Sequence, residues 1–218
     1  MSELVGTRDR VSNYYSVSNG KIVKSFGKTP PENMNGVIQR TNKNGDVVYE
    51  IQSDYIRGFI VEMGVKPPPE DHPDWQEQME ITLQSGSGKA ILNIPFDSAY
   101  GRGFLNACEG IDLNQEVELE PYKYFSKAKG KDLMGLQVYQ GGEQLPWTMG
   151  TKANPGEMPQ LEQVEFKGKM TWDNSKQLAF YKTLYRGMSG LVDNFEKGKG
   201  IEDMEVDADY VDPEEVDF

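Results

Sequence analysis

The chain has 218 residues, with 35 acidic side chains against 23 basic ones and a formal charge of −12, and its length suits one domain with elaborations or at most two. Cys108 and His72 are each the only residue of their kind, which excludes a disulfide framework and a Cys/His zinc site built within the chain. No stretch approaches the ~20 apolar residues of a membrane span and the first ten residues lack a signal-peptide core, so a protein of a reducing, cytoplasmic compartment is expected.

Taken in chain order, residues 11–52 suggest two β-hairpins, with Asn19-Gly20 and Asn44-Gly45 as turn dipeptides. Residues 54–65 form a long β-rich run interrupted by Gly58 and Gly64, where a bulge or bend is expected. A proline-rich loop occupies 66–75. Residues 78–84 alternate, with Met79, Ile81 and Leu83 on one face against Glu80 and Thr82 on the other. The sequence SGSG at 85–88 turns the chain into a returning strand at 89–96.

A helix follows. Asp97 is its expected N-cap, Phe96 the hydrophobic staple, and Phe104, Cys108 and Ile111 fall on one stripe. Cys108 there reads as a small buried hydrophobe. Two further strands, 116–125 and 132–140, are joined by a loop at 126–131 that holds three lysines. Residues 141–160 read as a long loop with Pro146, Pro155 and Pro159. Residues 173–197 read as a helix capped by Asp173 or Asn174. Its apolar stripe of Leu178, Tyr181, Leu184, Tyr185, Met188, Leu191, Val192 and Phe195 packs on the body or forms a homodimer contact.

Three strands, a helix and two strands is the order of the OB-fold, a five-stranded Greek-key barrel. The expected class is therefore mainly β: a domain over 1–200 with an OB-fold core at about 54–141, N-terminal hairpin elaborations and a C-terminal helix. Such barrels bind on strands two and three and on the loops joining strands one–two and four–five. Those loops correspond to 66–75 and 126–131.

Single-stranded nucleic acid binding needs cations that track phosphates and flat side chains on which bases stack. Residues 122–131, YKYFSKAKGK, supply both: rings at Tyr122, Tyr124 and Phe125, charge at Lys123, Lys127, Lys129 and Lys131. On the first core strand Tyr55, Arg57 and Phe59 share one face, and Ile56 and Ile60 the other. Lys89 is a further cationic candidate. Trp147, in a Pro/Gly-bounded loop with Lys152 beyond it, is either a lid ring or a pin for its loop.

Enzymatic readings find no support in the motifs. Residues 86–89, GSGK, resemble the end of a P-loop, but Leu83 stands where the first glycine belongs and Ala90 replaces the magnesium-binding Ser/Thr. His72 lies in a proline-rich loop with no nucleophile motif around it. Glu62 and Glu80 lack a diagnostic metal spacing. The expectation is a binding protein, not an enzyme, with neither metal nor cofactor.

The last eighteen residues, IEDMEVDADYVDPEEVDF, contain nine carboxylates and no cation, and the final residue is Phe218. A segment this acidic cannot bury enough apolar area to fold, so 201–218 is expected to be a disordered tail. Its nine charges leave about −3 to residues 1–200, so a nucleic-acid role must rest on a local groove. The tail resembles the C-termini of bacterial and bacteriophage single-stranded DNA-binding proteins, which are acidic and end in Phe.

With the element order and the basic aromatic loop, the chain resembles a bacteriophage replicative single-stranded DNA-binding protein. It departs from the bacterial family in lacking a long Gly/Gln/Pro-rich linker before the tail. The resemblance implies coating and protection of single-stranded DNA, without sequence preference, in replication, recombination and repair in the cytoplasm of an infected bacterium. It also implies that the tail, through Asp217 and Phe218, recruits replication proteins such as polymerase or helicase-primase. The rival expectations are an acidic DNA mimic or inhibitor of a protein partner, and a virion assembly protein.

Overall fold

A computed structural model describes residues 13–205, apart from 43, 74, 87, 150 and 152–155. The N-terminal region forms two hairpins, as its turn dipeptides require. Strands β1 (Tyr14–Ser18) and β2 (Lys21–Gly27) join at Asn19-Gly20, whose φ angles of 51° and 75° are those of a type I′ turn. Strands β3 (Ile38–Thr41) and β4 (Val47–Ser53) join at a loop that Asn42 organises. Its side-chain oxygen accepts from the Asn44 and Asp46 amides, each at 2.9 Å.

The middle of the chain supplies β5 (Ile56–Lys66), β6 (Gln78–Ser85), β7 (Gly88–Pro95), α1 (Ala99–Ala107), a 3-10 turn at Cys108–Gly110, β8 (Val117–Ser126) and β9 (Lys131–Gln140). A two-residue strand β10 (Glu143–Gln144), a hairpin of β11 (Glu162–Phe166) and β12 (Lys169–Asp173), and the long helix α2 (Ser175–Glu205) follow. Ten strands form one sheet in the order β10-β9-β8-β5-β6-β7-β1-β2-β4-β3. All its neighbours are antiparallel except β1 and β7, which run parallel with Tyr14 opposite Ile91.

The five core strands occur in the expected chain order, and β8 pairs with both β5 and β9. They do not close into a hydrogen-bonded ring. Among the described residues no ladder joins β7 to β9. The edge of β7 is taken by the N-terminal strand: the Ile91 amide donates to the Asn13 carbonyl at 2.9 Å, and Asn13 Nδ2 donates to the Lys89 carbonyl at 3.0 Å. Helix α1 packs on both β7 and β9. The result is an open mixed sheet rather than the closed barrel expected, because the backbone groups that would seal it are already satisfied.

Beneath this sheet lies a single core. Ile60, Met79, Ile81, Leu83, Leu92, Ile94, Phe104, Leu119 and Leu136 are all at most 1% exposed, and each such side chain contributes about 1.5–3 kcal/mol by leaving water. The register shift in β5 falls between Ile60 and Glu62, not at either glycine. Ser98, not Asp97, caps α1, since its hydroxyl accepts from the Gly101 amide at 2.9 Å. Cys108 ends α1 and opens the 3-10 turn beyond it, and burial pushes its thiol pKa up to about 12.

Helix α2 begins where Asp173 accepts from the Ser175 amide at 2.9 Å, a bond that holds the Asp173 carboxyl below its ordinary pKa. Tyr181, Tyr185, Met188 and Val192 of its stripe are buried against the body, while Leu191 is left 62% exposed. The Tyr185 hydroxyl lies 2.8 Å from the Glu80 carbonyl and 3.0 Å from that of Gly64, and Ser189 Oγ donates to the Met63 carbonyl at 2.6 Å. The helix continues to Glu205, five residues into the stretch expected to be tail. Asp217 and Phe218 lie outside the described residues. The β11–β12 hairpin has no counterpart among the sequence expectations. Among the described residues no helix is long and apolar enough to cross a membrane.

Candidate nucleic-acid interface

Strands β8 and β9 form a long ribbon that is half core and half projection. On β8 Val117, Leu119 and Pro121 are buried, while Glu118, Glu120 and Tyr122 take the opposite face. Past Tyr122 the strand is exposed on both faces as far as Phe125. Tyr122 and Tyr124 share a face, as their spacing predicts, with ring centroids 6.0 Å apart and planes tilted by 31°.

The two tyrosines are not equivalent. Tyr122 stands opposite Gly135, and a Cβ added there would meet the tyrosine hydroxyl at 2.5 Å. Its ring therefore fills the space a side chain at 135 would occupy, and burial, followed by the neighbouring Tyr124, raises its phenol pKa. Tyr124 and Phe125 are 56% and 61% exposed. They are the rings available for stacking.

The cations divide in the same way. Lys123 is bound to Asp132 at 3.1 Å and to Asn19 Oδ1 at 3.4 Å, so it ties the β1–β2 turn to the ribbon. Lys127, Lys129 and Lys131 are exposed, and none of the ion pairs among the described residues uses them. Their loop is folded by the Lys129 and Gly130 amides, which donate to the Ser126 carbonyl at 3.2 and 2.8 Å. Gly130, at φ 62°, makes the tight tip possible.

Next to β8, strand β5 places Arg57 and Phe59 on the face that Glu118 and Glu120 share, with Tyr55 just before them and 52% exposed. That face is more acidic than the ring-and-cation pattern suggested. Arg57 is held by Glu118 across the ladder at 2.8 Å. With Phe59, Tyr139, Glu116 and Glu120, these residues line a cleft of about 710 Å³. Tyr139 donates to Gln137 Oε1 at 2.9 Å, and burial, then Glu120, raises its pKa. Phosphates are disfavoured beside such a carboxylate row. No group of three or more His, Cys, Asp or Glu among the described residues is placed to share a metal ion.

The remaining candidates lie apart. Lys89 is exposed at the head of β7, with β6 and β5 between it and β8 in the sheet. Trp147, 37% exposed, sits in a loop pinned by its neighbours: the Thr148 amide donates to the Asn106 carbonyl at 2.7 Å, and Met149 is buried. Lys152 lies outside the described residues.

Sequence reasoning did not single out Trp75. In the 66–75 loop it stacks on His72 with centroids 4.5 Å apart and planes within 4°, and it remains 53% exposed. The available signal was a tryptophan at the end of a proline-bounded loop already expected to bind. The chain matches no protein-family model, no curated protein and no solved structure.

Proposed function

We propose that this protein binds single-stranded DNA without sequence preference, in the manner of a bacteriophage replicative single-stranded DNA-binding protein. In this reading β5 to β9 are an OB-type core opened along one edge. The observation that carries it is the tip of the β8–β9 ribbon, where Tyr124 and Phe125 stand exposed beside Lys127, Lys129 and Lys131. Phosphates track the lysines while bases stack on the two rings. The Glu116–Glu118–Glu120 row repels phosphate and confines the strand to the tip.

The same reading gives the acidic C-terminal residues two tasks. Their carboxylates compete with DNA for the lysines, most strongly at low salt. Asp217 and Phe218 engage polymerase or helicase-primase during replication, recombination and repair in the infected bacterial cell.

A fluorescence titration with labelled oligo-dT across a salt series tests the reading. Replacing Lys127, Lys129 and Lys131 by Ala should weaken binding and lower the salt slope by about 0.7 for each lost phosphate contact. Deleting residues 206–218 should tighten binding at low salt. Absence of oligo-dT binding, or a salt slope indifferent to the lysines, overturns it.

One observation favours a second reading. The carboxylate row on the folded body adds to the acidic C-terminus, as a DNA mimic occupying a partner's basic cleft would require. That protein would leave oligo-dT unbound under the same titration.

A further inference from the structure

We propose that the β11–β12 hairpin is a second contact for single-stranded DNA, with Trp172 carrying a stacked base and Lys167 and Lys169 meeting phosphates. The inference rests on the DNA-binding reading above and adds a site to it. Among the described residues, strands β11 and β12 pair with each other and with no strand of the large sheet. Residues 162–165 and 169–172 are exposed throughout, so neither face is buried on the body. A two-stranded hairpin in that state is marginal in water. It nevertheless presents Met170 and Trp172 side by side on one face, at 63% and 62% exposure. Adjacent on one face, the two form an exposed apolar patch of the kind that serves as a contact surface.

The tip identifies the occupant. Lys167 and Gly168 have φ angles of 50° and 74°, the two left-handed residues of a type I′ turn. The β1–β2 turn of the same chain meets this geometry with Asn-Gly, at 51° and 75°. Lysine takes this left-handed position less readily than asparagine, and here it sets a cation at the very tip. The tripeptide Lys-Gly-Lys at 167–169 repeats 129–131 at the tip of the β8–β9 ribbon, where Gly130 also has positive φ.

Each hairpin thus carries lysines at its turn and exposed rings or thioether just behind. At the base of the second hairpin Glu162 binds Lys176 at 2.5 Å and Asp173 caps α2. Glu165 stands opposite Met170. Lysine at the turn with tryptophan behind it is complementary to phosphate and base.

The test uses the full chain with Trp75 and Trp147 changed to Phe, so that Trp172 is the only tryptophan. Oligo-dT should quench its fluorescence along the same curve that a labelled oligonucleotide reports by anisotropy. Trp172→Ala should weaken binding about 5- to 150-fold, and Trp172→Phe should restore most of it. Lys167→Ala with Lys169→Ala should lower the salt slope by about 1.4. Far-UV circular dichroism checks that each variant keeps its fold.

The inference is overturned if oligo-dT binds and responds to Lys127, Lys129 and Lys131 while Trp172 fluorescence and affinity stay unmoved. It is equally overturned if sedimentation shows a dimer that Trp172→Ala dissociates with DNA binding unchanged. Absence of any oligo-dT binding overturns both this site and the reading on which it rests.

Discussion

At its inner end the β8–β9 ribbon buries Val117, Leu119, Leu136 and Val138 to 1% exposure or less and sets Glu118 and Glu120 on the opposite face. At its outer end the same two strands carry Tyr124 and Phe125 into solvent and turn on three exposed lysines. Between them sit the residues that belong to neither end by charge alone. Arg57 and Lys123 are cations, yet Glu118 and Asp132 hold them in the framework. Position along the ribbon thus decides a cation's role more than residue type does.

Four substitutions break or sharpen this contrast, from the largest expected effect to the smallest. Leu119→Ala removes a fully buried side chain of the inner end and should cost about 2–5 kcal/mol of stability in urea denaturation. Gly135→Ala tests which end owns Tyr122. The new methyl group displaces that ring and should cost about 1–3 kcal/mol of stability by overpacking, with little change in oligo-dT affinity per folded molecule. A large affinity loss with stability intact would move Tyr122 to the binding end.

Tyr124→Ala should do the reverse. Oligo-dT titration should show a loss of about 1–3 kcal/mol for a stacked base, while the unfolding midpoint stays within about 0.5 kcal/mol of wild type. Glu118→Gln gives the smallest effect. Breaking its exposed pair with Arg57 should alter stability by under about 1 kcal/mol. The salt slope of DNA binding should stay unchanged, because the strand is confined to the tip. A slope raised by about 0.7 would instead place Arg57 in the path of the strand.

Much of the ribbon was legible because its signals are local. The alternation of Leu119, Pro121 and their neighbours, the lysine-rich turn and Gly130 all lie within a few residues of one another. The Asn19-Gly20 and Asn44-Gly45 turns were equally plain. The β11–β12 hairpin was not. Its strands do alternate, with Val164 and Phe166 in one and Met170 and Trp172 in the other, but each is only five residues long and its turn is Lys-Gly instead of the plainer Asn-Gly.

The Arg57–Glu118 and Lys123–Asp132 pairs depend on cross-strand register, which sequence spacing alone leaves open. Ser98 displaced Asp97 as a cap because two cap-competent residues stand side by side and only geometry chooses between them. The open edge of the core was hidden for a third reason. The strand that fills it is far away in the chain, and nothing in residues 14–18 names β7 as its partner.

That distant pairing sets an order of events. Asn13 and Lys89 are 76 residues apart, and strands joined in parallel across such a span carry a loop-closure cost that hairpins avoid. During synthesis the β1–β2 hairpin emerges early and waits for β7, while β5, β6 and β7 can pair among themselves as soon as they appear. A strand made before β7 is thus seated only after β7 has appeared. Until it arrives, β7 presents a bare row of amides and carbonyls to any neighbouring chain. Removing residues 1–27 would therefore yield a protein prone to edge-to-edge association, not a smaller version of the same molecule.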